Sequence, residues 1–389
     1  MRIQFALFAV FISFAVSAQQ LKITNGPYLQ NMEQDNVTII WTTDKDAVSW
    51  LELAPAGNDS FYADERARFF EAPNGSKKTG KLHRITVSGL AAGTEYRYRI
   101  FSKEVLNYEG HRVMYGDIAS SDVYRDRPFS FKTLDPEKSS IAFKVVNDIH
   151  SKNENLESML SKVTKENTDL VFFNGDMVSI LNEEKEIFTG FMDTAVRLFA
   201  KEVPVFYARG NHETRGKASS RLYDYFPTNN GRFYYTFRHG PVQFLVLDGG
   251  EDKPDSDIEY SELAQFDNYR TEEKNWLRKT VREPDFQSAP FRVAVLHIPP
   301  VGSTWHGTKE IAEKFLPLLN EAGIDIMLCG HLHNYQLINK GDDKNVNFPI
   351  LVNDDETYLD VTADDKKIDV FRKDLSGKIV DSHSIKRQH

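Results

Sequence analysis

The residues best equipped for chemistry in this chain fall in five short clusters, each holding aspartate, asparagine or histidine. In order they are Asp148-Ile149-His150, Gly175-Asp176, Gly210-Asn211-His212-Glu213, His297 and Gly330-His331-Leu332-His333. Five of the eleven histidines belong to this set. Carboxylate oxygens mixed with imidazole nitrogens suit Fe, Mn, Zn or Co better than Ca or Mg, which prefer oxygen alone. Asp148 and His150 are two residues apart, as are His331 and His333, so on extended segments each pair points to one side. Glycines before Asp176, Asn211 and His331 let the backbone turn sharply and approach a ligand closely. A single such histidine is more often a solvated or hydrogen-bonded residue than a ligand. Five clusters in this order are different, because buried, unpaired Asp and His are costly without a cation.

Positioning these groups requires a particular kind of sheet. Each cluster follows a short apolar run: Ile141–Val146, Leu170–Phe173, Val203–Ala208, Val293–Leu296 and Ile324–Cys329. Continuous apolar runs suit strands buried on both faces. Helical periodicity lies between them, at Leu156, Leu160 and Val163, at Ile187 through Leu198, and at Ile311, Phe315 and Leu318 with Gly323 as a C-cap. The alternation predicts an α/β domain from residue 135 to 389, with ligands gathered at the carboxyl ends of its strands. The segments Tyr358–Thr362, Lys367–Phe371 and Lys378–Val380 are expected to close the catalytic sheet, and Phe233–Phe237 reads as a core strand. Before residue 135 the pattern is strands and turns alone, at residues 36–43, 82–87, 96–100 and 129–132. That indicates a β-sandwich over residues 19–134. Its stretch His83–Ile100 resembles the late strands of a fibronectin type III module.

The five clusters together resemble the signature of the calcineurin-like metallophosphoesterases, D-x-H, G-D, G-N-H-[DE], H and G-H-x-H. With the β module in front, the chain is most similar to relatives of the purple acid phosphatases. The resemblance implies a four-layer α/β/β/α sandwich of two mixed sheets around a dinuclear centre of transition-metal ions, divalent or trivalent (Fe, Mn or Zn). By motif match, Asp148, His150 and His333 would hold the first ion, and Asn211, His297 and His331 the second. Asp176 would bridge them. The purple enzymes carry Gly where this chain has His150, and their iron-binding Tyr where it has Ser179. One ligand is lost and one gained, which implies a complete but colourless first site. After His333 the chain continues Asn334-Tyr335-Gln336, unlike the usual Tyr-Glu-Arg of the family.

Two adjacent cations lower the pKa of a shared water, and the resulting hydroxide attacks phosphorus in line. The family position of His212 implies the proton donor or transition-state stabiliser, with Asn211 beside it on the substrate. Glu213 either orients His212 or is a plain helix-start carboxylate. His306 lies where purple acid phosphatases place substrate-binding histidines; the alternative is a surface loop. Arg209, Arg215 and Arg221 flank the Asn211 cluster and could meet an anion, although scattered arginines are usually surface residues. Asp252–Asp257 and Asp354–Glu356 read as solvated turns.

Phosphate monoesters are the expected substrates. Phosphodiesters or nucleotides on the same ions are the alternative, and a glycan- or partner-binding protein with a vestigial metal site is the rival of another class. The 48 basic residues against 57 acidic ones, a net charge of −9, argue against a nucleic-acid-binding surface. The lone Cys329 excludes an internal disulfide framework and a zinc ribbon. Residues 1–18 read as a secretory signal: a short positive start, an apolar run from Phe5 to Val16, and small residues Ser17-Ala18. The run is shorter than the ~20 residues that span a bilayer, and no later segment spans one. A secreted or periplasmic location follows; no sequence feature specifies an oligomeric state.

Overall fold

The computed structural model describes residues 20–122 and 126–387, so the signal-peptide reading falls outside the described residues. The N-terminal module contains β1 (Ile23–Gln30), β2 (Asn36–Pro55), β3 (Arg68–Phe69), β4 (Thr79–Ser88), β5 (Glu95–Glu109), β6 (Arg112–Ser120) and β7 (Phe129–Lys132). The 20-residue β2 organises it. Its first half lies between β1 and β4, and its second half, past an irregularity between Thr42 and Ala47, pairs with β5 and β3. Through β2 the seven strands form one continuous sheet, and Val37, Ile39, Trp41, Leu51, Tyr98 and Ile100 share a single core.

The rest of the chain is two six-stranded mixed sheets. The first has the order β10-β9-β8-β17-β18-β19, where β8 is Ser140–Val146, β9 Leu170–Asn174, β10 Val205–Ala208, β17 Thr357–Asp364, β18 Lys367–Asp374 and β19 Ile379–Lys386. The second runs β11-β12-β13-β14-β16-β15, with β11 Tyr235–His239, β12 Val242–Val246, β13 Phe291–Val295, β14 Ile326–Cys329, β15 Gln336–Ile338 and β16 Ile350–Val352. The last three strands thus complete the first sheet, each antiparallel to its neighbour.

The apolar runs are continuous because each strand is covered on both sides. Phe143, Val145, Phe172, Phe206, Phe244, Val293 and Leu328 point between the two sheets. Their sequence neighbours Val171, Phe173 and Val205 face outward onto α1 (Asn153–Leu160) and the helix Asp193–Leu198. Leu245, Ala294 and Met327 face α2 (Phe266–Thr280) and α3 (His306–Ala322), which pack on each other. The period-2 alternation of a strand produces four layers, α/β/β/α. Gly323 ends α3 with φ 67°, as its place after the helical pattern predicts. Among the described residues, no helix is long and apolar enough to cross a membrane.

Candidate metal centre

β8, β9 and β10 are parallel neighbours in one sheet; β13 and β14 are parallel neighbours in the other. Their carboxyl ends therefore deliver Asp148, Asp176, Asn211, His297 and His331 from two directions. The ends are tied across the sheets. His297 Nδ1 is 2.7 Å from the Asn174 carbonyl oxygen, and the His331 amide donates to Asp148 Oδ2 at 2.8 Å.

The backbone that presents these side chains is unusual. Asp148, His150, Asp176, His331 and His333 all have φ between 47° and 73°. Such a conformation is uncommon outside glycine and costs about 1–3 kcal/mol per residue. The expectation that Asp148 and His150, and likewise His331 and His333, lie on extended segments is therefore corrected: all four residues are left-handed. The amides of Asp148, His150 and Ser151 donate to the carbonyls of Gly175, Asp176 and Met177, which laces the turns together. Gly175 and Gly210 are demanded by space. A Cβ on Gly175 would lie 2.5 Å from the His297 ring, and one on Gly210 2.2 Å from Asp176 Oδ1.

Three overlapping groups result, and in each the ligand atoms lie within 4.8 Å of one another. Asp148, His150 and His333 form the first, with His333 Nε2 3.3 Å from Asp148 Oδ1. Asp176, His297 and His331 form the second, with His297 Nε2 3.0 Å from Asp176 Oδ2. Asn211 joins the second through Oδ1, 3.0 Å from His331 Nδ1. The third contains His150, Asp176 and His212, which places Asp176 in contact with both sides. All seven motif-matched residues are thus gathered in one place.

The donor atoms suit cations. Asp148 Oδ1, His150 Nε2 and His297 Nε2 are buried without a hydrogen-bond partner. Because the Asn174 carbonyl can only accept, Nδ1 of His297 carries the proton and Nε2 turns a lone pair towards the carboxylates. Left alone, that arrangement is repulsive. Burial opposes a charge on His297, but Asp176 and Asp148 more than offset it and push its pKa up to about 10. Burial raises the Asp148 carboxyl, and Asp176 adds to the effect. Burial lowers His150 to about 4 and, helped by His297, His331 to about 3. His150 and His331 are thus held as neutral imidazoles, the form that ligates metals, whereas His297 would give up its Nε2 proton to a cation placed between the carboxylates.

Several groups outside the seven support the centre. Ser179 Oγ faces His150 Nδ1 at 3.2 Å, and the Ser179 carbonyl accepts from His212 Nδ1 at 2.7 Å. Asp355 Oδ2 lies 3.6 Å from His333 Nδ1, so the Asp354–Glu356 turn borders the centre. Glu213 is fully buried and does not orient His212. Its Oε2 accepts from the amides of Asp176 (2.9 Å) and Gly210 (3.0 Å), and its Oε1 from those of Met177 (2.6 Å) and Val178 (3.2 Å). Asp252, expected on a solvated loop, is buried, with Oδ2 3.9 Å from His331 Nε2. The three flanking arginines are all engaged: Arg209 with Asp248, Arg215 with Glu251 and Arg221 with Asp224. His306 is in none of the three groups. At the start of α3 its Nε2 meets Asp267 Oδ1 at 2.7 Å, and Glu310 completes a separate group.

The sequence profile described as Calcineurin-like phosphoesterase matches residues 141–335, half of the chain. The chain is 24% identical over 277 residues to purple acid phosphatase 21 of Arabidopsis thaliana, covering 66% of this chain and 53% of that protein. It is 24% identical over 321 residues to probable purple acid phosphatase 20 of the same plant, covering 75% of this chain and 66% of that one. The chain thus spans about half to two thirds of the length of these relatives. Its fold is similar to that of a purple acid phosphatase from yellow lupin (Lupinus luteus) seeds, with TM-score 0.66 at 18% identity, covering 93% of this chain and 74% of that one. The match runs from β8 to the residues just after His333, and on it the chain belongs to the calcineurin-like phosphoesterase family.

Proposed function

We propose that this protein is an exported, metal-dependent phosphoesterase that hydrolyses phosphate monoesters. The observation that carries the reading is the convergence of buried donor atoms on one point: Asp148 Oδ1 and His150 Nε2 without hydrogen bonds, and His297 Nε2 between Asp176 Oδ2 at 3.0 Å and Asp148 Oδ1 at 3.9 Å. Asp148, His150 and His333 would hold one ion, and Asn211, His297 and His331 the other. Asp176 would lie between, and Fe, Mn or Zn would fit the mixed oxygen and nitrogen donors. Bound there, the ions would clamp phosphoryl oxygens and supply a water acidic enough to attack at neutral pH.

The chain's own groups do the rest. The Ser179 carbonyl accepts the Nδ1 proton of His212, so Nε2 is the atom that exchanges protons with the ester. That atom lies 3.9 Å from Asp176 Oδ2, at the edge of the centre, where it can protonate the leaving oxygen. Asn211 would steer a phosphoryl oxygen. His306 is assigned a substrate contact through the loop joined to Asp252 by the Gly307 amide, which donates to the Asp252 carbonyl at 2.8 Å. With His150 present and Ser179 in place of a tyrosine, the iron-loaded protein would be colourless. We further assign residues 1–18 to a secretory signal, 19–134 to a fibronectin III-like module and 135–389 to the catalytic domain.

The test is a comparison of nitrophenyl phosphate with bis-nitrophenyl phosphate, before and after chelation and with Mn, Fe or Zn restored. Activity that returns with metal on the monoester supports the proposal. Preference for the diester replaces it with a phosphodiesterase, and a folded, metal-loaded protein inert to both overturns it.

A further inference from the structure

A cleft of about 770 Å³ runs beside the candidate centre, a volume that suits a small organic group. One wall adjoins the proton donor in the chain. Ile180 follows Ser179, the acceptor for His212 Nδ1, and Thr214 closes the turn that His212 begins. The lining also includes Tyr260, whose phenol donates to Glu251, next in the chain to Asp252, whose carboxylate is 3.9 Å from His331 Nε2. The cleft thus follows the His212 side of the centre. Of the three cations on its walls, Arg209 and Arg215 are already paired with carboxylates, which leaves Lys217 as the third. The Arg215 guanidinium is balanced by Glu251 at 2.6 Å and Asp252 at 3.5 Å. What the walls offer instead is apolar surface: Ile180 is 46% and Leu263 89% exposed, with Phe266 behind them.

We propose that this cleft receives the leaving group of the ester, and that the group it prefers is a bulky aromatic alcohol. The inference rests on the phosphoesterase reading above. In an in-line displacement the bond from water oxygen to phosphorus forms as the bond to the ester oxygen breaks. The departing oxygen keeps the electron pair and takes a proton from His212 Nε2, leaving free alcohol and phosphate. The alcohol therefore lies on the side of the proton donor, which is the side the cleft occupies. Apolar walls left open to water gain most from covering an aromatic face.

Kinetics with naphthylmethyl phosphate and ethyl phosphate test this, because both release simple primary alkoxides. The metal-restored protein is expected to show a kcat/KM at least tenfold higher for the naphthylmethyl ester. A chain carrying Ile180→Asp and Leu263→Asp is expected to lose most of that ratio. Equal kcat/KM values in the unsubstituted protein, or a ratio unchanged by the two substitutions, overturn the proposal. Calorimetric binding of naphthylmethylphosphonate and ethylphosphonate, neither of which turns over, separates the cleft from the chemistry. Tighter naphthylmethylphosphonate binding in a protein inert to every ester keeps the cleft and rejects the phosphoesterase reading. Equal binding rejects the cleft.

Discussion

Ser179 and Glu213 do opposite kinds of work within a few ångströms of each other. Ser179 is exposed and touches two imidazoles, His150 through its hydroxyl and His212 through its carbonyl. Removing the hydroxyl leaves the backbone contact intact and frees one face of the His150 ring. Loss of such an orienting partner typically weakens metal binding by about 10- to 100-fold. Ser179→Ala is therefore expected to lower affinity for one of two ions in a metal titration, with folding stability changed by less than about 0.5 kcal/mol. Unaltered binding of both ions would mean that His150 is held by something else. Glu213 is the reverse, a buried carboxylate whose four accepted bonds fasten the Gly175-Asp176 turn to the Gly210-Asn211 turn. In Glu213→Gln an NH2 group replaces one oxygen and faces amide donors. Stranded buried donors cost roughly 1–3 kcal/mol each, so a loss of about 3 kcal/mol is expected in denaturant melts, together with weaker metal uptake. A variant as stable as the parent would show that the amides find other acceptors.

At the level of strands and turns, much of the architecture was legible because burial on both faces writes itself as an uninterrupted apolar run. Val171-Phe172-Phe173 and Val293-Ala294-Val295 read as interior strands from their composition alone, and the polar residue after each run marks the working end. The left-handed turns at Asp148 and His150 were not legible, since non-glycine residues carry no signal for φ near 50°. Nor was the partner of Glu213, because backbone amides are the same in every sequence. The same holds for β4, where His83 looked like an ordinary strand residue. It is buried beneath Trp41, with Nε2 2.9 Å from Thr43 Oγ1. Thr43 gives its own proton to the Lys45 carbonyl, so the ring nitrogen is the donor. Burial lowers its pKa to about 4, from 6.5 in the unfolded chain. Between those values the unfolded chain binds the proton and the folded one does not, so stability rises with pH across the window and falls on acidification. The full effect is about 3 kcal/mol between pH 6.5 and 4. His83→Gln keeps a donor without the titration, and its melting temperature is expected to fall less steeply over that range. Parallel slopes would place the acid sensitivity elsewhere.

For the molecule as a whole, the question is whether the N-terminal module is an appendage or part of the frame that holds the centre. The core of β2 and β5 is continuous with that between the two sheets: Trp41, Tyr98 and Phe131 belong to the same cluster as Phe206, Ala208 and Phe244. The join is centred on β10, the edge strand whose carboxyl end leads to Asn211 and His212. Gln30 Nε2 donates to the Val205 carbonyl at 3.0 Å, the Leu29 amide to that of Ala200 at 3.0 Å, and the Tyr98 phenol to that of Lys201 at 2.7 Å. An open sheet edge is thereby covered by the module. Tyr28 goes further, its ring lying 6.5 Å from Phe188 and 6.3 Å from Phe226 while its hydroxyl donates to the Tyr225 carbonyl at 3.1 Å. Apolar contact and buried hydrogen bonds across one boundary couple the two parts energetically, so neither unfolds without exposing the other. Calorimetry of the full chain is expected to give one transition, lowered by chelation as a unit because ions that bind only the folded form stabilise all of it. Tyr28→Ala removes a fully buried ring, with an expected loss of about 3–5 kcal/mol. The informative readout is the shape of the trace. A single transition moved to lower temperature means that the module braces the strand behind Asn211 and His212. A second, earlier transition with the chelation-sensitive one left in place means that the two six-stranded sheets stand alone and the coupling across β10 is negligible.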